Sequence, residues 1–276
     1  MTILFNYILW NVHPDIFTIP YLNHPVRWYG LAWAGGFLLS QQVMYFIYKK
    51  EGRSAKEVDD LTVYMLVATV VGARLGHVLF YDPVYYFSNP LRILAIWEGG
   101  LASHGATIGI LTGLYLFARK TKVRYLWIVD RLVIVSALTG AFIRLGNLMN
   151  SEMIGIPTTM PWGFIFTRID DLPRHPAQLY EALCCFAIFF TFFAIWYKQK
   201  NQTQDGFLFG LFLIVLFSLR FVDEFFKINQ EEFEDNMILN MGQLLSIPFV
   251  LIGVGILIYS YRQKNNRMKT ESVTIS

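Results

Sequence analysis

The amino-acid sequence predicts an all-α integral membrane protein with about seven transmembrane helices and a small extracytoplasmic head. Hydrophobic residues make up 55% of the chain and aromatic residues 17%. Charged residues make up only 16%, against about 25% in soluble proteins. One soluble core cannot bury that much apolar surface, and disordered chains are poor in apolar residues. The bilayer is therefore the expected solvent for most of the chain.

Seven stretches of the sequence are apolar enough to cross a bilayer, which takes about 20 such residues. The first and the last contain no charged residue, whereas the fourth and the sixth have short uncharged cores. In chain order, the predicted spans cover residues 28–48, 61–81, 99–118, 125–147, 176–197, 206–223 and 236–261.

Lysine and arginine concentrate in every second connection, after spans one, three, five and seven. These residues are Lys49, Lys50, Arg53 and Lys56; Arg119, Lys120, Lys122 and Arg124; Lys198 and Lys200; and Arg262, Lys264, Arg267 and Lys269. Basic connections stay on the cytoplasmic side of a membrane. Seven spans then place the N-terminus outside the cytoplasm and the C-terminus inside it. We expect one transmembrane domain over residues 1–262, with its head at 150–175, and a polar cytoplasmic tail at 263–276.

Three arginines lie toward the outer ends of the predicted spans two, four and six, namely Arg74, Arg144 and Arg220. Arginine within a bilayer is costly and usually has a functional reason, and its planar fork suits a phosphate. The alternative for each one is that it snorkels to the interface or pairs with a carboxylate. Three arginines at a similar depth favour a shared site for an anion.

Helical spacing adds polar neighbours to two of these arginines. Glu224 lies four residues after Arg220, and Asn147 lies three residues after Arg144, so each pair shares a helix face. Polar residues continue beyond the fourth span at Asn150 and Glu152, and Gly155 follows them. Irregular polar backbone at membrane depth is tolerated where it lines a cavity.

Three more polar side chains stand at the outer ends of predicted spans. His104 follows Gly99 and Gly100 and is a candidate proton acceptor, although a lone histidine there is more often an interfacial hydrogen-bonding residue. For Tyr29 the alternative is aromatic anchoring at the interface, and for Gln178 it is helix capping. The histidines show no metal-ligand spacing, and phosphate-loop and dinucleotide motifs are missing from the sequence. We predict no metal, no cofactor and no nucleic-acid partner.

The segment RLGNLMNSEMIG at 144–155 resembles the signature of bacterial prolipoprotein diacylglyceryl transferases. Further segments resemble the family in its own order: WYGL at 28–31, GARLGHVLFY at 72–81, EGGLASHGA at 98–106, RHPAQLYEA at 174–182, RFVDEFF at 220–226 and MGQLLSIP at 241–248. Together the resemblance spans roughly residues 25–260. It departs from the family pattern at Ala106, usually glycine, at Leu216, often tyrosine, and at Lys227, usually arginine. These departures concern the head-group contacts rather than the reaction.

The resemblance implies a catalytic membrane body of seven helices, with an extracytoplasmic head, in the bacterial inner (cytoplasmic) membrane. It also implies transfer of the diacylglyceryl group of phosphatidylglycerol to the lipobox cysteine of a prolipoprotein signal peptide, with release of glycerol phosphate. The family's functional positions fall on Tyr29, His104, Arg144, Asn147, Glu152, Gly155, Arg220 and Glu224.

The implied reaction is a displacement in which a thiolate attacks carbon and a phosphate leaves. We assign Arg144 and Arg220 to the phosphate, Glu224 to orienting Arg220, His104 to proton acceptance, and Tyr29 to orienting a substrate or sharing the proton. The alternative for His104 is that the arginines lower the pKa of the substrate thiol enough to make a dedicated base unnecessary. The predicted substrate-binding residues are Arg144, Asn147, Asn150, Glu152, Gly155, Arg74 and Gln178.

Other classes of membrane protein remain as alternatives at this point. A transporter of a lipid or small anion would use the same arginines, but it would also need a polar path through the membrane. An intramembrane protease would need a serine and a histidine on facing helices. A CDP-alcohol phosphatidyltransferase would need a multi-aspartate metal motif, which is missing from the sequence.

Overall fold

A computed structural model describes residues 7–22, 24–199, 203–228, 234 and 237–275. The chain forms two compact units. The first comprises residues 1–43 and 130–276, and the second comprises residues 44–129. Lys200, one of the predicted cytoplasmic residues, and residue 236, the predicted start of the seventh span, lie outside the described residues.

Helices dominate the described part of the chain. In order they are α1 (Trp28–Lys50), α2 (Ala55–Phe80), α3 (Pro83–Ser88), α4 (Ser103–Thr121), α5 (Tyr125–Asn150), α6 (Ala177–Gln199), α7 (Phe207–Asp223) and α8 (Met241–Ile275). The seven predicted spans correspond to α1, α2 and α4 to α8, whereas α3 is a short helix that was not predicted. α8 extends into the predicted tail at 263–276, of which residue 276 lies outside the described residues.

Within the described residues, four helices are long and apolar enough to cross a membrane: α2, α5, α6 and the part of α8 from Met241 to Lys264. The protein is therefore mostly helical, with several membrane-spanning helices. The other three predicted spans, α1, α4 and α7, are less apolar or shorter. Gln41 and Gln42 interrupt α1, α4 begins with Ser103 and His104, and α7 has only 17 residues. The count of seven spans stays a prediction.

Five short strands accompany the helices in the part of the chain that the structure describes. β1 (Ile8–Trp10) pairs in parallel with β4 (Phe164–Phe166), and β5 (Pro173–Arg174) pairs antiparallel to β4. β2 (Asp15–Ile19) and β3 (His24–Arg27) form a separate antiparallel ladder. An all-α class therefore fits the spans but not the connection between α5 and α6, which carries two strands. The sequence did not reveal β1, because its partner lies far away along the chain.

The β1–β4–β5 sheet packs on the C-terminal part of α5 through a small apolar cluster. Leu148, Phe164 and Phe166 are buried there, with Trp10 packed against them. The indole Nε1 of Trp10 also donates to the main-chain oxygen of Leu148 at 3.0 Å. The predicted head at 150–175 thus contains strands β4 and β5, and β1 from the N-terminal segment pairs with β4.

A buried aspartate fixes the start of α7 in the first unit. Asp130 on α5 is completely buried, and its carboxylate accepts the main-chain N–H groups of Gly206 and Phe209, both at 2.8 Å. Helix N-termini expose unpaired N–H groups and favour negative charge. Asp130 therefore caps α7 from a neighbouring helix and sets its register against α5.

In the second unit, α2 and α4 approach each other through glycines. A Cβ atom added to Gly105 would lie 2.3 Å from the main-chain oxygen of Gly72, and one added to Gly109 would lie 2.1 Å from that of Ala68. Small residues allow such close backbone contact between membrane helices. The pair therefore depends on glycine at these positions.

Candidate active site

The first unit contains a cavity of about 400 Å³ lined by α1, α5, α6 and α7. Its polar lining comes from Tyr29, Ser136, Arg144, Asn147, Glu181, Arg220 and Asp223. Apolar side chains such as Phe212, Leu216 and Phe217 complete the wall. Most of the polar groups come from the C-terminal ends of α5 and α7 and from the start of α6. A concave apolar site with a few convergent polar groups is typical of a ligand-binding pocket.

Two of the three predicted arginines line this cavity, and each is paired with a carboxylate. The Nε atom of Arg144 lies 2.9 Å from Glu181 Oε2. The Nε atom of Arg220 lies 3.7 Å from Glu224 Oε1, across one helical turn. The side chain of Arg144 is 24% exposed and that of Arg220 is 45% exposed. Both guanidinium groups are therefore oriented by protein while remaining accessible from the cavity.

A buried lysine links the two carboxylates. The Nζ atom of Lys227 lies 2.6 Å from Glu181 Oε1 and 3.7 Å from Glu224 Oε1. It also lies 3.2 Å from Asp223 Oδ2. These contacts form a continuous chain of ion pairs from Arg144 to Arg220.

The predicted site residues do not include Glu181, Asp223 or Lys227, although Lys227 is one of the departures from the family pattern. Their signals were weak: Glu181 stands in the RHPAQLYEA segment, and Asp223 and Lys227 are four residues apart. A tertiary contact between α6 and the end of α7 brings them together, and no spacing in one segment predicts such a contact.

The segment after α5 is held by hydrogen bonds to Glu152. The side-chain amides of Asn147 and Asn150 donate to the carboxylate of Glu152 at 3.2 and 3.1 Å. The buried amide of Gln178 donates to the main-chain oxygen of Glu152. The backbone on either side of Glu152 enters the left-handed region, with φ of 56° at Ser151 and 57° at Met153. The structure thus brings four predicted binding residues into one network, of which Asn147 also lines the cavity.

Gly155 lies where two main chains converge. Its N–H group donates to His175 O at 2.9 Å, and the N–H group of Ile156 donates to Phe226 O at 2.9 Å. A Cβ atom at Gly155 would lie 2.4 Å from His175 O and 2.6 Å from Phe226 O. Glycine is needed here for close backbone approach, which ties the segment after α5 to the segments before α6 and after α7.

The head carries a second polar cluster beside Gly155. Tyr180 Oη accepts from Trp162 Nε1 at 2.8 Å and hydrogen-bonds His175 Nδ1 at 3.0 Å. Burial lowers the pKa of His175. The hydrogen bond from Arg174 lowers the pKa of Asp170, where the guanidinium meets the carboxylate through both oxygens.

The remaining two predicted site residues belong to the second unit. Arg74 is 4% exposed. It donates to five main-chain oxygens, those of Arg92, Ile93, Ala95, Gly99 and Gly100, at 2.5 to 3.1 Å. His104 is exposed, and its ring lies 5.8 Å from that of Tyr81 in a stacked arrangement. The contacts of Arg74 hold the connection between α3 and α4, so its part in substrate binding stays a prediction.

The fold and the cavity define a multi-pass membrane protein with a charged pocket among its helices. A family model described as prolipoprotein diacylglyceryl transferase matches residues 14–259. The chain belongs to this family, which confirms the resemblance inferred from its motifs.

Similar proteins cover nearly the whole chain and share one name, phosphatidylglycerol–prolipoprotein diacylglyceryl transferase. The one from Tolumonas auensis is 49% identical over 93% of this chain and 99% of its own length. The one from Porphyromonas gingivalis is 45% identical over 91% of this chain and 94% of its own length. The one from Chloroherpeton thalassium is 43% identical, with 94% and 96% covered.

Proposed function

We propose that this chain transfers the diacylglyceryl group of phosphatidylglycerol to the thiol of the lipobox cysteine in a prolipoprotein signal peptide. The observation that carries the proposal is that Arg144 and Arg220, from separate helices, line one cavity in a member of this family. The full-length similarity to proteins of that name supports it.

The chemistry is a displacement at the carbon of the diacylglyceryl group that is bonded to the phosphate oxygen. A C–S bond forms, the C–O bond to phosphate breaks, and glycerol phosphate leaves with the bonding electron pair. We assign the terminal amino groups of Arg144 and Arg220 to the departing phosphate, since their Nε atoms meet Glu181 and Glu224. Preorganised donors aimed at developing charge lower the barrier most effectively. Arginine supplies this charge without a metal or cofactor.

The thiol must lose its proton to become a nucleophile. His104 remains the predicted acceptor, and Tyr29, which lines the cavity, remains the predicted residue that orients a substrate or shares the proton. Four of the other predicted binding residues, Asn147, Asn150, Glu152 and Gln178, would act together, because all four belong to the network around Glu152. Gly155 and Arg74 remain predicted binding residues as well. If His104→Gln keeps near-normal turnover, His104 is not the base.

The proposed location is the bacterial inner membrane, with seven spans, an extracytoplasmic head and N-terminus, and a cytoplasmic C-terminus. The four clusters of basic residues in alternating connections support this orientation. It places the polar ends of α5 and α7 near the outer leaflet, where membrane lipid and the emerging prolipoprotein would be met.

The test is purified protein in proteoliposomes with phosphatidylglycerol labelled in both glyceryl groups and a lipobox peptide. We expect a thioether-linked diacylglyceryl peptide and an equal amount of glycerol phosphate. A peptide with serine in place of the lipobox cysteine is the matched control and should stay unmodified. Movement of lipid or phosphate across the membrane without thioether would contradict the proposal and favour a transporter.

A further inference from the structure

Lys227 is a buried cation for which the proposed reaction has no direct use. Its side chain is 4% exposed, less than either arginine of the cavity, and Lys227 is not among the cavity-lining residues. A buried ammonium group is costly unless it is paired and hydrogen-bonded. Lys227 meets this condition through Glu181, Asp223 and Glu224.

Two of these three carboxylates also hold the cavity arginines. Glu181 uses one oxygen for Lys227 and the other for Arg144. Glu224 presents the same oxygen, Oε1, to Lys227 and to Arg220, at 3.7 Å from each. Lys227 is thus the common neighbour of both arginine-holding groups.

The backbone of Lys227 is fixed as well. Lys227 forms an isolated antiparallel bridge with Gly155, and the neighbouring Phe226 accepts the N–H group of Ile156. The ammonium group therefore extends from a point that is tied to the end of the 144–155 signature. Glu224 is restrained too, because Asn240 Nδ2 donates to its Oε2 atom at 3.2 Å.

We propose that Lys227 is a positioning residue that sets the separation of Arg144 and Arg220 by holding Glu181 and Glu224 together. It acts through the two carboxylates and does not touch the phosphate. The inference rests on the proposed function, because the proposed reaction requires both arginines to reach oxygens of one leaving phosphate and so requires a defined distance between them. A displacement of about 1 Å at such a site can lower a rate by about 100-fold.

Charge alone is the competing explanation. Three cations, Arg144, Arg220 and Lys227, face three carboxylates in this cluster. Loss of Lys227 leaves one surplus negative charge, which would repel an anionic lipid whatever the geometry. Asp223 separates the two explanations, because its ion pair within the described residues is with Lys227 and not with an arginine. The double variant K227M/D223N restores the charge balance but not the link between Glu181 and Glu224.

The experiment compares kcat and KM for phosphatidylglycerol in the thioether assay for K227M, K227R and K227M/D223N. K56M is the matched control, since Lys56 is exposed. We expect K227M to lose about 100-fold in kcat, K227R to recover most of that loss, and the double variant to stay as impaired as K227M. Full recovery in K227M/D223N, or near-normal kcat in K227M, would overturn the proposal.

E181Q keeps the proposal testable if K227M does not insert or fold. It removes the charge that joins Lys227 to Arg144 while Lys227 keeps Asp223 and Glu224. We expect a kcat loss similar to that of K227M, and near-normal kcat would overturn the proposal. Wild-type protein that forms no thioether would instead refute the proposed function, so the two failures are distinguishable.

Discussion

Gly155 has no side chain, and this allows the segment after α5 to pack closely against the main chains of His175 and Phe226. The main-chain oxygens of His175 and Phe226 stand 2.4 and 2.6 Å from the place of a Cβ atom. Backbone atoms cannot move aside as a flexible side chain can. The residue lies at the end of the signature, and the same close approach places Lys227 beside it.

We predict that Gly155→Ala destabilises the protein by about 1–3 kcal/mol, the usual cost of overpacking, and lowers transfer activity. Thermal unfolding in detergent and the thioether assay measure the two effects. Gly35→Ala is the control, since nothing lies within 4 Å of a Cβ atom there, and helical alanine is favoured over glycine by about 1 kcal/mol. Equal stability of the two variants would contradict the crowding at Gly155.

The predicted head contains His175, and this residue should make the folded state less stable when the pH falls below 6.5, the ordinary pKa of histidine. Burial lowers the pKa of His175 from 6.5, so the unfolded chain takes up this proton at a higher pH than the folded chain. Its contribution is complete above about pH 6.5 and declines as the pH falls through the folded pKa. Arg174 lowers the pKa of Asp170. The stability that this ion pair contributes is therefore lost only at a more acidic pH, below the ordinary pKa of a carboxyl group.

We therefore expect the unfolding temperature of His175→Gln, relative to that of wild type, to be higher at pH 5.5 than at pH 7.5. Unfolding scans at both pH values test this. An unchanged pH difference in the variant would show that other groups are responsible.

Among the helices, the connection from α3 to α4 depends on one arginine. Five main-chain oxygens accept hydrogen bonds from Arg74, and arginine is the side chain that carries five N–H donors. The ring of Tyr86 also lies 4.9 Å from the guanidinium carbon. Arg74 therefore serves as the scaffold of residues 92–100.

Arg74→Lys should loosen this connection, because an ammonium group has fewer donors and no planar fork. We expect faster amide hydrogen exchange across residues 92–100. The KM for phosphatidylglycerol should stay within about threefold of wild type, whereas a loss of 1.4 kcal/mol of binding free energy would raise it roughly tenfold. Unchanged exchange together with a KM raised more than about tenfold would instead support the substrate-binding role that the sequence predicts.

The helices were predictable where hydropathy is continuous. The predicted fifth span, 176–197, matches α6 at Ala177–Gln199, and the predicted fourth span, 125–147, matches α5 at Tyr125–Asn150. α2 begins earlier than predicted, at Ala55, because its first turns carry charged residues that belong outside a membrane. Spacing within one helix also placed Glu224 beside Arg220. The contacts of Lys227 and the pairing of β1 with β4 join segments that are far apart in sequence, so no local sequence pattern predicts them.

For the whole molecule, the number of spans fixes the sides on which the termini lie. Seven spans place them on opposite sides of the membrane, whereas the four helices that are both long and apolar enough to span would alone place them on the same side. We predict that a fluorescent protein fused after Ser276 is cytoplasmic and that a tag before Met1 is reached by a membrane-impermeant reagent. Both tags on one side would contradict the seven-span topology.

The proposed reaction requires two arginines to act on one phosphate, and a double-mutant cycle measures this directly. Arg144→Gln, Arg220→Gln and the double variant are compared with wild type in single-turnover thioether formation, after insertion and folding have been verified for each. We predict a loss of at least about 100-fold for each single variant, in the range found for removing one oxyanion donor, and a double variant that falls short of the product of the two losses. Near-normal turnover in either single variant would contradict the account.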